Sequence, residues 1–262
     1  MDSELARRAV RVNAANLALG HETLEAAGAT FVRNDAFPAI RDANHVTAIT
    51  ASTADEIDAL FARADAEFAH CPHRAFKADV TTPPRVEGRL LLDGYTREDA
   101  LVSVLDGDLD GVAKPHDLRP IDDGGAWRAF ELLQAADWRE SRARRGETEQ
   151  GDAAAAMAQT RRLKSPRVRY WLAFEEGQPA GYFSAWEGIA GVGQVEDLYV
   201  VPERRHRGLA TALIHHCVAD CRAHGAGPVV IVSDPTDTPK HMYAAMGFRP
   251  VAVVRNYWKA IA

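Results

Sequence analysis

The sequence predicts an α/β protein in which helices pack on a mixed β-sheet and two related halves follow one another along the chain. Strand and helix patterns alternate from end to end, and a stretch at 106–117 with glycines, a proline and few large apolar groups divides them. The order of elements within 44–105 repeats the order within 209–254. With 262 residues, 47% of them hydrophobic, the chain is long enough for one or two folded domains.

The N-terminal half begins with a predicted helix and continues as alternating strands and helices. Thr53 and Glu56 have the spacing of a capping box, in which each side chain bonds the other residue's backbone amide, so a helix is expected to begin there. Pro83 and Pro84 suit the start of a further helix, which Asp93-Gly94 ends. The predicted elements are helix 4–19, strands 29–34 and 45–50, helix 53–70, strand 74–80, helix 83–92 and an extended segment over 95–105.

The C-terminal half contains the elements of a complete α/β unit. Two alternating segments flank the turn residues 177–179 and predict a β-hairpin, while Gly225 and Gly247 mark the ends of two helices. Three glycines within 188–193 precede a strand rather than a helix, so they indicate a turn and not a dinucleotide-binding loop. The predicted elements are strand 117–121, helix 127–139, a second helix within 140–165, strands 169–176, 180–186 and 195–201, helix 209–224, strand 228–233, helix 240–246 and strand 248–258.

A basic loop lies between a predicted strand and a predicted helix. The loop holds Arg204, Arg205 and Arg207, and Gly208 then begins the helix. Amides at a helix N-terminus point outward without partners and the helix dipole adds positive charge, so this segment is suited to bind phosphate. Glycine would let a phosphate oxygen approach the backbone, and arginine forks suit phosphate oxygens. A solvated basic loop is the alternative.

Two motifs together resemble the GCN5-related N-acetyltransferase (GNAT) superfamily. They are Arg205-x-x-Gly208-x-Ala210 after a strand, and Met242-Tyr243-x-x-Met246-Gly247-Phe248 before the last strand. The resemblance covers residues 116–262 and departs from the commoner pattern at Ala210, where glycine is more usual. It implies the acyl-CoA N-acyltransferase fold, a complete catalytic domain over 113–262, and acetyl-CoA as the cosubstrate.

The resemblance also implies roles for individual residues. The amides from Arg205 to Ala210 would hold the pyrophosphate of acetyl-CoA. The strand around Val200 would bond the pantetheine arm and polarise the thioester carbonyl, and Tyr243 would give a proton to the departing thiolate. Packing in the core is the alternative role of Tyr243. The expected cofactor-binding residues are Leu198, Tyr199, Val200, Arg205, His206, Arg207, Gly208, Leu209, Ala210 and Thr211.

Glu196 is the expected general base for the acceptor amine, because members of the resembled family often carry a glutamate at this position. Strand alternation places Glu196 and Asp197 on opposite faces, so only one of them can face the cleft. The alternative is that Glu196 orders a water or pairs with an arginine. No cysteine stands on this strand to carry an acetyl group, so the amine is expected to attack the thioester directly in a ternary complex.

The N-terminal half is expected to be a truncated, degenerate GNAT-like domain over 1–112. Its Leu91-Leu92-Asp93-Gly94-Tyr95 repeats the pattern of residues 244–248. Asp55 and Glu56 stand where a phosphate loop would begin the helix, and their charges would repel a pyrophosphate. The half is therefore expected to extend the sheet, to form a wall of the acceptor cleft, or to take part in a homodimer.

Charge and composition exclude several other classes. The net charge of −6 gives no general attraction to nucleic acid or anionic membranes, and no apolar run is long enough to span a bilayer. The first residues lack the apolar core of a secretory signal and three cysteines cannot form a disulfide framework, so a cytoplasmic location is expected. Cys217 and Cys221 on one helix are interpreted as core residues rather than zinc ligands, and no metal is expected.

The sequence therefore predicts an enzyme that moves an acetyl group from acetyl-CoA to a primary amine of a small molecule or peptide. A binding module that holds acyl-CoA without turnover, as a sensor or scaffold, is the alternative. Nucleic-acid binding through Arg204–Arg207 is a third hypothesis, which the net charge disfavours. The identity of the acceptor and the length of the acyl chain stay open.

Overall fold

The computed structural model describes residues 3–144, 146 and 153–261, and these contain seven α-helices and eleven β-strands. The helices are α1 (Ser3–Ala18), α2 (Ala54–Glu67), α3 (Pro84–Leu92), α4 (Gly124–Arg144), α5 (Ala153–Lys164), α6 (Leu209–Ala223) and α7 (Pro239–Ala245). The strands are β1 (Glu22–Ala26), β2 (Ala29–Arg33), β3 (His45–Thr47), β4 (His73–Ala78), β5 (Thr96–Leu105), β6 (Asp117–Pro120), β7 (Arg169–Glu175), β8 (Gln178–Ile189), β9 (Val192–Val200), β10 (Val229–Ser233) and β11 (Arg249–Ala260).

Most predicted elements are present close to their expected bounds, and two differ for identifiable reasons. β1 was not predicted, because four of its five residues are exposed and give no apolar alternation. α4 extends from Gly124 to Arg144, beyond the apolar residues that predicted a helix over 127–139. The second helix expected within 140–165 is α5, and residues 145 and 147–152 lie outside the described part of the chain.

The chain folds into two compact units. The first unit consists of Met1–Val104 together with Val232–Ala262, and the second unit is Leu105–Ile231. The C-terminal segment therefore packs with the N-terminal half. The expected boundary between residues 112 and 113 concerns the limits of family domains, which need not coincide with these compact units. It stays a prediction.

In the first unit the strands lie in the order β1-β2-β3-β4-β11-β5. β3 and β4 are parallel and are connected through α2, and the other neighbours are antiparallel. β11, the last strand, lies between β4 and β5 and pairs Arg255 with Ala78 on one side and with Asp99 on the other. Glu87 on α3 accepts hydrogen bonds from Arg255 and from the Tyr257 hydroxyl, so β11 is also held to this helix.

α2 packs on this sheet because its apolar residues share one helical face. Ile57, Leu60 and Ala64 are buried and form one core cluster with Phe31 of β2 and Phe76 of β4. The predicted capping box at the start of α2 is present. The core of the first unit therefore follows the 3.6-residue periodicity of α2 and the alternation of its neighbouring strands.

In the second unit the strands lie in the order β10-β9-β8-β7-β6, with β10 parallel to β9 and the others antiparallel. α6 packs on this sheet and buries Leu213, Cys217 and Cys221. Burial raises the pKa of the Cys217 thiol well above its usual range and that of Cys221 to about 12, so both are core groups. No group of three or more metal-ligating side chains occurs among the described residues. None of the described helices combines the length and apolar character needed to cross a membrane.

The glycine-rich segment between β8 and β9 is a tight hairpin turn, as expected. Ala190 and Gly191 have φ of 49° and 71°, the left-handed pair that a two-residue type I′ turn requires. A Cβ on Gly188 would stand 1.8 Å from the carbonyl oxygen of Val192. Glycine is therefore required at this position by the close approach of the backbone.

Candidate active site

The N-terminus of α6 is open, in the sense that no side chain at its N-cap position bonds the amides of the first turn. Gly208 precedes the helix with φ of 92°, a left-handed conformation that favours glycine, and it has no side chain to cap the amides of the first turn. His206 also has a positive φ of 62°, so the loop turns sharply before the helix. The helix runs for 15 residues, and its dipole adds positive charge at this end. This geometry suits a phosphate group on the predicted residues Gly208, Leu209, Ala210 and Thr211.

The side chain of Arg205 is engaged within the protein. Its Nη1 and Nη2 donate to the two carboxylate oxygens of Glu140 on α4 at 2.8 and 2.6 Å, and its Nε donates to the carbonyl of Val200 at 2.9 Å. The guanidinium also lies 5.9 Å from the ring centroid of Tyr199. Arg205 therefore fixes the loop against β9 and α4. Its backbone amide, which was expected to contact the phosphate, donates to the carbonyl of Pro202 at 3.3 Å instead, so the phosphate contact is left to the amides that follow it.

The other two arginines of the loop are paired as well. Arg204 lies 2.8 Å from Glu176 and 3.3 Å from Glu175, and Arg207 lies 3.3 Å from Glu175. These carboxylates balance much of the charge that the sequence placed in the loop. Attraction for a phosphate at this site therefore depends more on backbone amides than on arginine forks.

His116 is a neighbour of the loop that sequence analysis missed. Its Nε2 lies 3.3 Å from the point where a Cβ on residue 208 would stand, beside the start of α6. This nitrogen is buried and has no hydrogen-bond partner among the described residues. The only signal in the sequence was a histidine near the end of the predicted linker, 92 residues before Gly208.

β9 continues past its parallel partner. The ladder between β9 and β10 ends where Val195 pairs with Ile231, whereas β9 itself reaches Val200. The predicted pantetheine-binding residues Leu198, Tyr199 and Val200 lie in this extension. Backbone groups of a strand beyond its ladder can bond a ligand, so the geometry agrees with the expected role, which stays a prediction.

A β-bulge interrupts β9 within this extension. Tyr199 pairs with Tyr182 and Glu196 pairs with Ser184, so two residues of β9 stand opposite the single residue between Tyr182 and Ser184. Asp197, one of those two, has φ of 65°, which is strained for a residue with a side chain. The bulge breaks the two-residue alternation on which the choice between Glu196 and Asp197 rested.

Glu196 remains the predicted general base, and its surroundings are now defined. Its carboxylate accepts a hydrogen bond from the side-chain amide of Gln194, two residues earlier on β9. Its backbone carbonyl accepts from the Ser184 hydroxyl at 2.7 Å. Glu196 is only partly buried, so its carboxylate is not sealed in the core.

A group of polar side chains that sequence analysis did not connect faces the bulge. Arg161 of α5 donates from Nε and Nη2 to Asp197 Oδ1 at 3.1 and 2.9 Å. Tyr182 donates its hydroxyl to Asp137 Oδ2 of α4 at 2.9 Å. Burial raises the pKa of Asp137, with an opposing effect from the Tyr182 hydrogen bond and a further increase from the charge of Asp197. We call Asp137, Glu196 and Asp197 the acidic cluster.

Tyr243 lies on α7, in the first unit. Its side chain is buried, and its ring centroid is 6.2 Å from that of Phe248 at an interplanar angle of 63°. The Phe248 amide donates to the Tyr243 carbonyl at 3.0 Å, which closes the end of the short helix. These contacts support the core role that was its alternative, and the proton-donating role stays a prediction.

The N-terminus of α2 differs sharply from that of α6. The Glu56 carboxylate accepts hydrogen bonds from the amides of Thr53 and Ser52 at 3.0 and 2.8 Å, and the Thr53 hydroxyl accepts from the Glu56 amide at 3.3 Å. The bonds from the Thr53 and Ser52 amides lower the pKa of Glu56 to about 2. A carboxylate of the protein itself therefore caps this helix, in agreement with the predicted loss of a phosphate site.

Comparisons with known proteins identify the second half of the chain. Residues 127–248 match the model of the acetyltransferase (GNAT) family. A GCN5-related N-acetyltransferase from Kribbella flavida aligns with a TM-score of 0.67 over 97% of this chain and 96% of that chain, at 15% identity. A conserved protein of unknown function from Staphylococcus epidermidis aligns with a TM-score of 0.68 over 92% and 95%, at 13% identity.

A tandem GNAT protein from the clavulanic acid biosynthesis pathway aligns with a TM-score of 0.56 over 78% of this chain and 69% of that chain, at 18% identity. At these identities the likeness concerns the fold. No curated protein matches the sequence. The predicted family is confirmed for residues 127–248, and the predicted α/β fold class with a mixed sheet is confirmed for the chain.

Proposed function

Because residues 127–248 belong to the GNAT acetyltransferase family, we propose that the protein transfers an acetyl group from acetyl-CoA to a primary amine of a small molecule or peptide. The observation that carries this proposal is the open N-terminus of α6 behind Gly208. In the same fold unit the ladder between β9 and β10 ends at Val195, before Leu198, so an anion site and a strand that is unpaired on one side occur together.

The cofactor is proposed to bind through backbone groups. The pyrophosphate of acetyl-CoA would accept hydrogen bonds from the amides of residues 206–211, and the pantetheine arm would lie along 198–200. The engagement of Arg205 with Glu140 supports this assignment, because it holds in place the loop that leads to these amides. His116 stands beside the same loop and offers a nitrogen that has no hydrogen-bond partner in the described part of the chain.

The proposed reaction is direct attack in a ternary complex. The amine nitrogen attacks the thioester carbonyl carbon, Glu196 takes the proton that the amine loses, and an amide near Val200 stabilises the developing oxyanion. The carbon–sulfur bond then breaks, and Tyr243 gives a proton to the CoA sulfur. A covalent acetyl-cysteine is disfavoured, since burial raises the pKa of Cys217 and Cys221 and a neutral thiol is a poor nucleophile.

The first test measures cofactor binding and turnover on the full chain. Acetyl-CoA at 100 times its dissociation constant should stabilise the protein by about 2.7 kcal/mol and raise Tm accordingly. Release of CoA thiol over a panel of primary amines should then report transfer. Absence of a Tm increase with both acetyl-CoA and CoA, together with absence of thiol release, overturns the proposal.

The second test addresses the two predicted catalytic side chains. Glu196→Gln and Tyr243→Phe should each lower kcat by about 100-fold, the lower range for general acid–base catalysis. The acetyl-CoA-induced increase in Tm should stay as in the unchanged protein, which shows that each variant folds and binds the cofactor. Unchanged kcat in either variant removes the role assigned to that residue.

A non-catalytic acyl-CoA sensor is the second candidate. The hydrogen bond from Gln194 to Glu196 favours it, because a base that is held by a neighbouring donor is a weaker proton acceptor. A protein that binds acetyl-CoA tightly but releases no thiol with any amine of the panel would establish this function instead.

A further inference from the structure

Asp197, a member of the acidic cluster, is the one described non-glycine residue with a positive φ inside a β-strand. Its φ of 65° occurs within β9, at the bulge opposite β8. Outside the strands, in hairpin turns, after β3 or in the loop before α6, the described non-glycine residues with a positive φ are Ala27, Ala48, Glu176, Ala190 and His206. Aspartate adopts this conformation more readily than most residues, but strained backbone persists only where other contacts hold it.

A guanidinium from a different element holds this aspartate. Arg161 of α5 donates from Nε and Nη2 to Asp197 Oδ1 at 3.1 and 2.9 Å, and both side chains are 11% exposed. Hydrogen bonds between charged groups are stronger than neutral ones, and pairs that are largely buried are screened less by solvent. The pair therefore ties the side chain of Asp197, and with it the backbone of the bulge, to α5.

The peptide before Asp197 is held by β8. The Ser184 hydroxyl donates to the carbonyl of Glu196 at 2.7 Å. Glu196 also pairs with Ser184 in the ladder, and pairing has resumed where Tyr199 stands opposite Tyr182. The conformation of the bulge is therefore fixed by contacts with two other elements, β8 and α5.

The bulge determines which way the following amides point. Successive backbone N–H groups of a strand point alternately to its two edges, and an extra residue shifts this alternation by one position. Leu198, Tyr199 and Val200 follow the bulge, where β9 has no β10 partner. If Asp197 took an extended φ, amides of this stretch that point to the open edge would turn toward β8 instead. The cofactor contacts proposed for residues 198–200 therefore require the left-handed conformation of Asp197.

We infer that Arg161 is a positioning residue for the proposed transfer: its guanidinium holds Asp197 in the left-handed conformation and thereby aims the amides of residues 198–200 at the thioester. The inference rests on the proposed function, and it adds to it a residue of α5 that controls the reaction strand. In this role neither Arg161 nor the side chain of Asp197 touches the reacting atoms. A plain anchor of α5 on the sheet is the competing role of the pair.

Glycine at position 197 separates the two roles. Glycine adopts a φ of 65° without strain, whereas alanine removes the same carboxylate and keeps the strain. Arg161→Gln should lower kcat, measured as thiol release with the best amine of the panel, by about 100-fold, since small displacements of reacting groups cost this much. Adding Asp197→Gly to Arg161→Gln should raise kcat again by at least about tenfold, and adding Asp197→Ala should not.

Three results overturn the inference. The first is an unchanged kcat in Arg161→Gln. The second is a low kcat in both double variants, which would leave Arg161 only the role of anchoring α5. The third is an equal recovery with glycine and with alanine, which would attribute the loss in Arg161→Gln to the uncompensated charge of Asp197 rather than to its backbone.

Single variants at position 197 give the same test if Arg161→Gln does not fold. Asp197→Gly should keep kcat at least about tenfold above that of Asp197→Ala, and equal values overturn the inference. Cooperative thermal unfolding reports whether each variant is folded.

Arg169→Gln is the matched control for the loss of an ion pair. It removes a contact of 2.7 Å between Arg169 of β7 and Asp220 of α6, in the same unit as Arg161. This variant should lower Tm and leave kcat unchanged. A fall of kcat as large as that in Arg161→Gln would make the effect a general consequence of lost stability and would overturn the inference.

The unchanged protein separates the inference from the proposed function. If it binds acetyl-CoA and releases thiol while the variants give one of the overturning results, the inference fails and the proposed function stands. If it releases no thiol with any amine of the panel, the proposed function fails and the inference fails with it.

Discussion

Among the described helices, α2 and α6 are the two that follow a strand and lead to a parallel partner strand, and their first turns differ in one respect. In α2 the Glu56 carboxylate and the Thr53 hydroxyl bond the amides of the helix start. In α6 the corresponding position is Gly208, which has no side chain and adopts a left-handed φ of 92°. The comparison shows what decides whether a helix start can bind an anion. Where side chains of the protein bond the first amides, the start is closed, and where no side chain does so, the amides are left for an anion.

The strands before the two helices, β3 and β9, also differ in how far their titratable side chains are buried. β3 carries His45, which is fully buried, whereas β9 carries Glu196 and Asp197 beyond its ladder with β10, where a bulge interrupts its pairing with β8. Burial, together with the charge of Lys77, lowers the pKa of His45 to about 3. The first unit thus uses this strand for its core, and the second unit keeps titratable groups of the equivalent strand partly exposed.

The largest expected effect is acid destabilisation through His45. The unfolded histidine binds a proton below about pH 6.5, but the folded one resists it until about pH 3, so stability falls as pH drops through this window. Between pH 7 and pH 4 the contribution should be about 3 kcal/mol. Urea unfolding at both values measures it, and His45→Leu should flatten the dependence. An equally steep dependence in the variant contradicts the assignment.

The second-largest effect is expected when a substitution gives the open start of α6 the carboxylate that closes the start of α2. Thr211 occupies in α6 the third helical position that Glu56 occupies in α2. Thr211→Glu should raise the Kd of acetyl-CoA by about 100-fold, because a carboxylate would compete with the phosphate for the same amides. Thr211→Gln has the same size without the charge and should raise Kd much less. Calorimetric titration distinguishes the two, and equal values refute the electrostatic explanation.

The third effect concerns His116, which lies beside the open start of α6. His116→Ala should raise the Kd of acetyl-CoA by about tenfold, through loss of one charge-assisted hydrogen bond to a phosphate. Binding of pantetheine, which lacks the pyrophosphate, should not change. His224→Ala at the other end of α6 is the matched control, because His224 is exposed and should leave both affinities unaltered. A Kd for acetyl-CoA that stays constant in His116→Ala removes this contact.

The smallest effect concerns the closed helix start. Thr53→Ala removes the hydroxyl that accepts from the Glu56 amide and should lower the free energy of unfolding by about 1 kcal/mol. Acetyl-CoA affinity should stay the same, since this helix is not proposed to bind it. Denaturant unfolding and calorimetry check the two statements. A loss of cofactor affinity in Thr53→Ala would contradict the division of roles between α2 and α6.

Local features of the fold were predictable because their partners are near in sequence. The capping box of Thr53 and Glu56, the hairpin turn at Glu176-Gly177, just before the predicted position, and the turn at Gly191 each involve residues within a few positions of one another. The open helix start at Gly208 was predictable for the same reason. β1 was not, because its exposed residues have no apolar alternation and it forms by pairing with β2.

The sequence by itself determined the family, the α/β class, the order of elements and the two helix starts, since periodicity, caps and short motifs express local preferences. Only the tertiary structure placed β11 between β4 and β5, His116 beside Gly208, and Arg205 on Glu140. It also placed Asp137 of α4 against Tyr182 of β8, and Asp197 of β9 against Arg161 of α5. The physical reason is that packing and electrostatic contacts between distant segments depend on the whole fold, and no spacing along the chain encodes them.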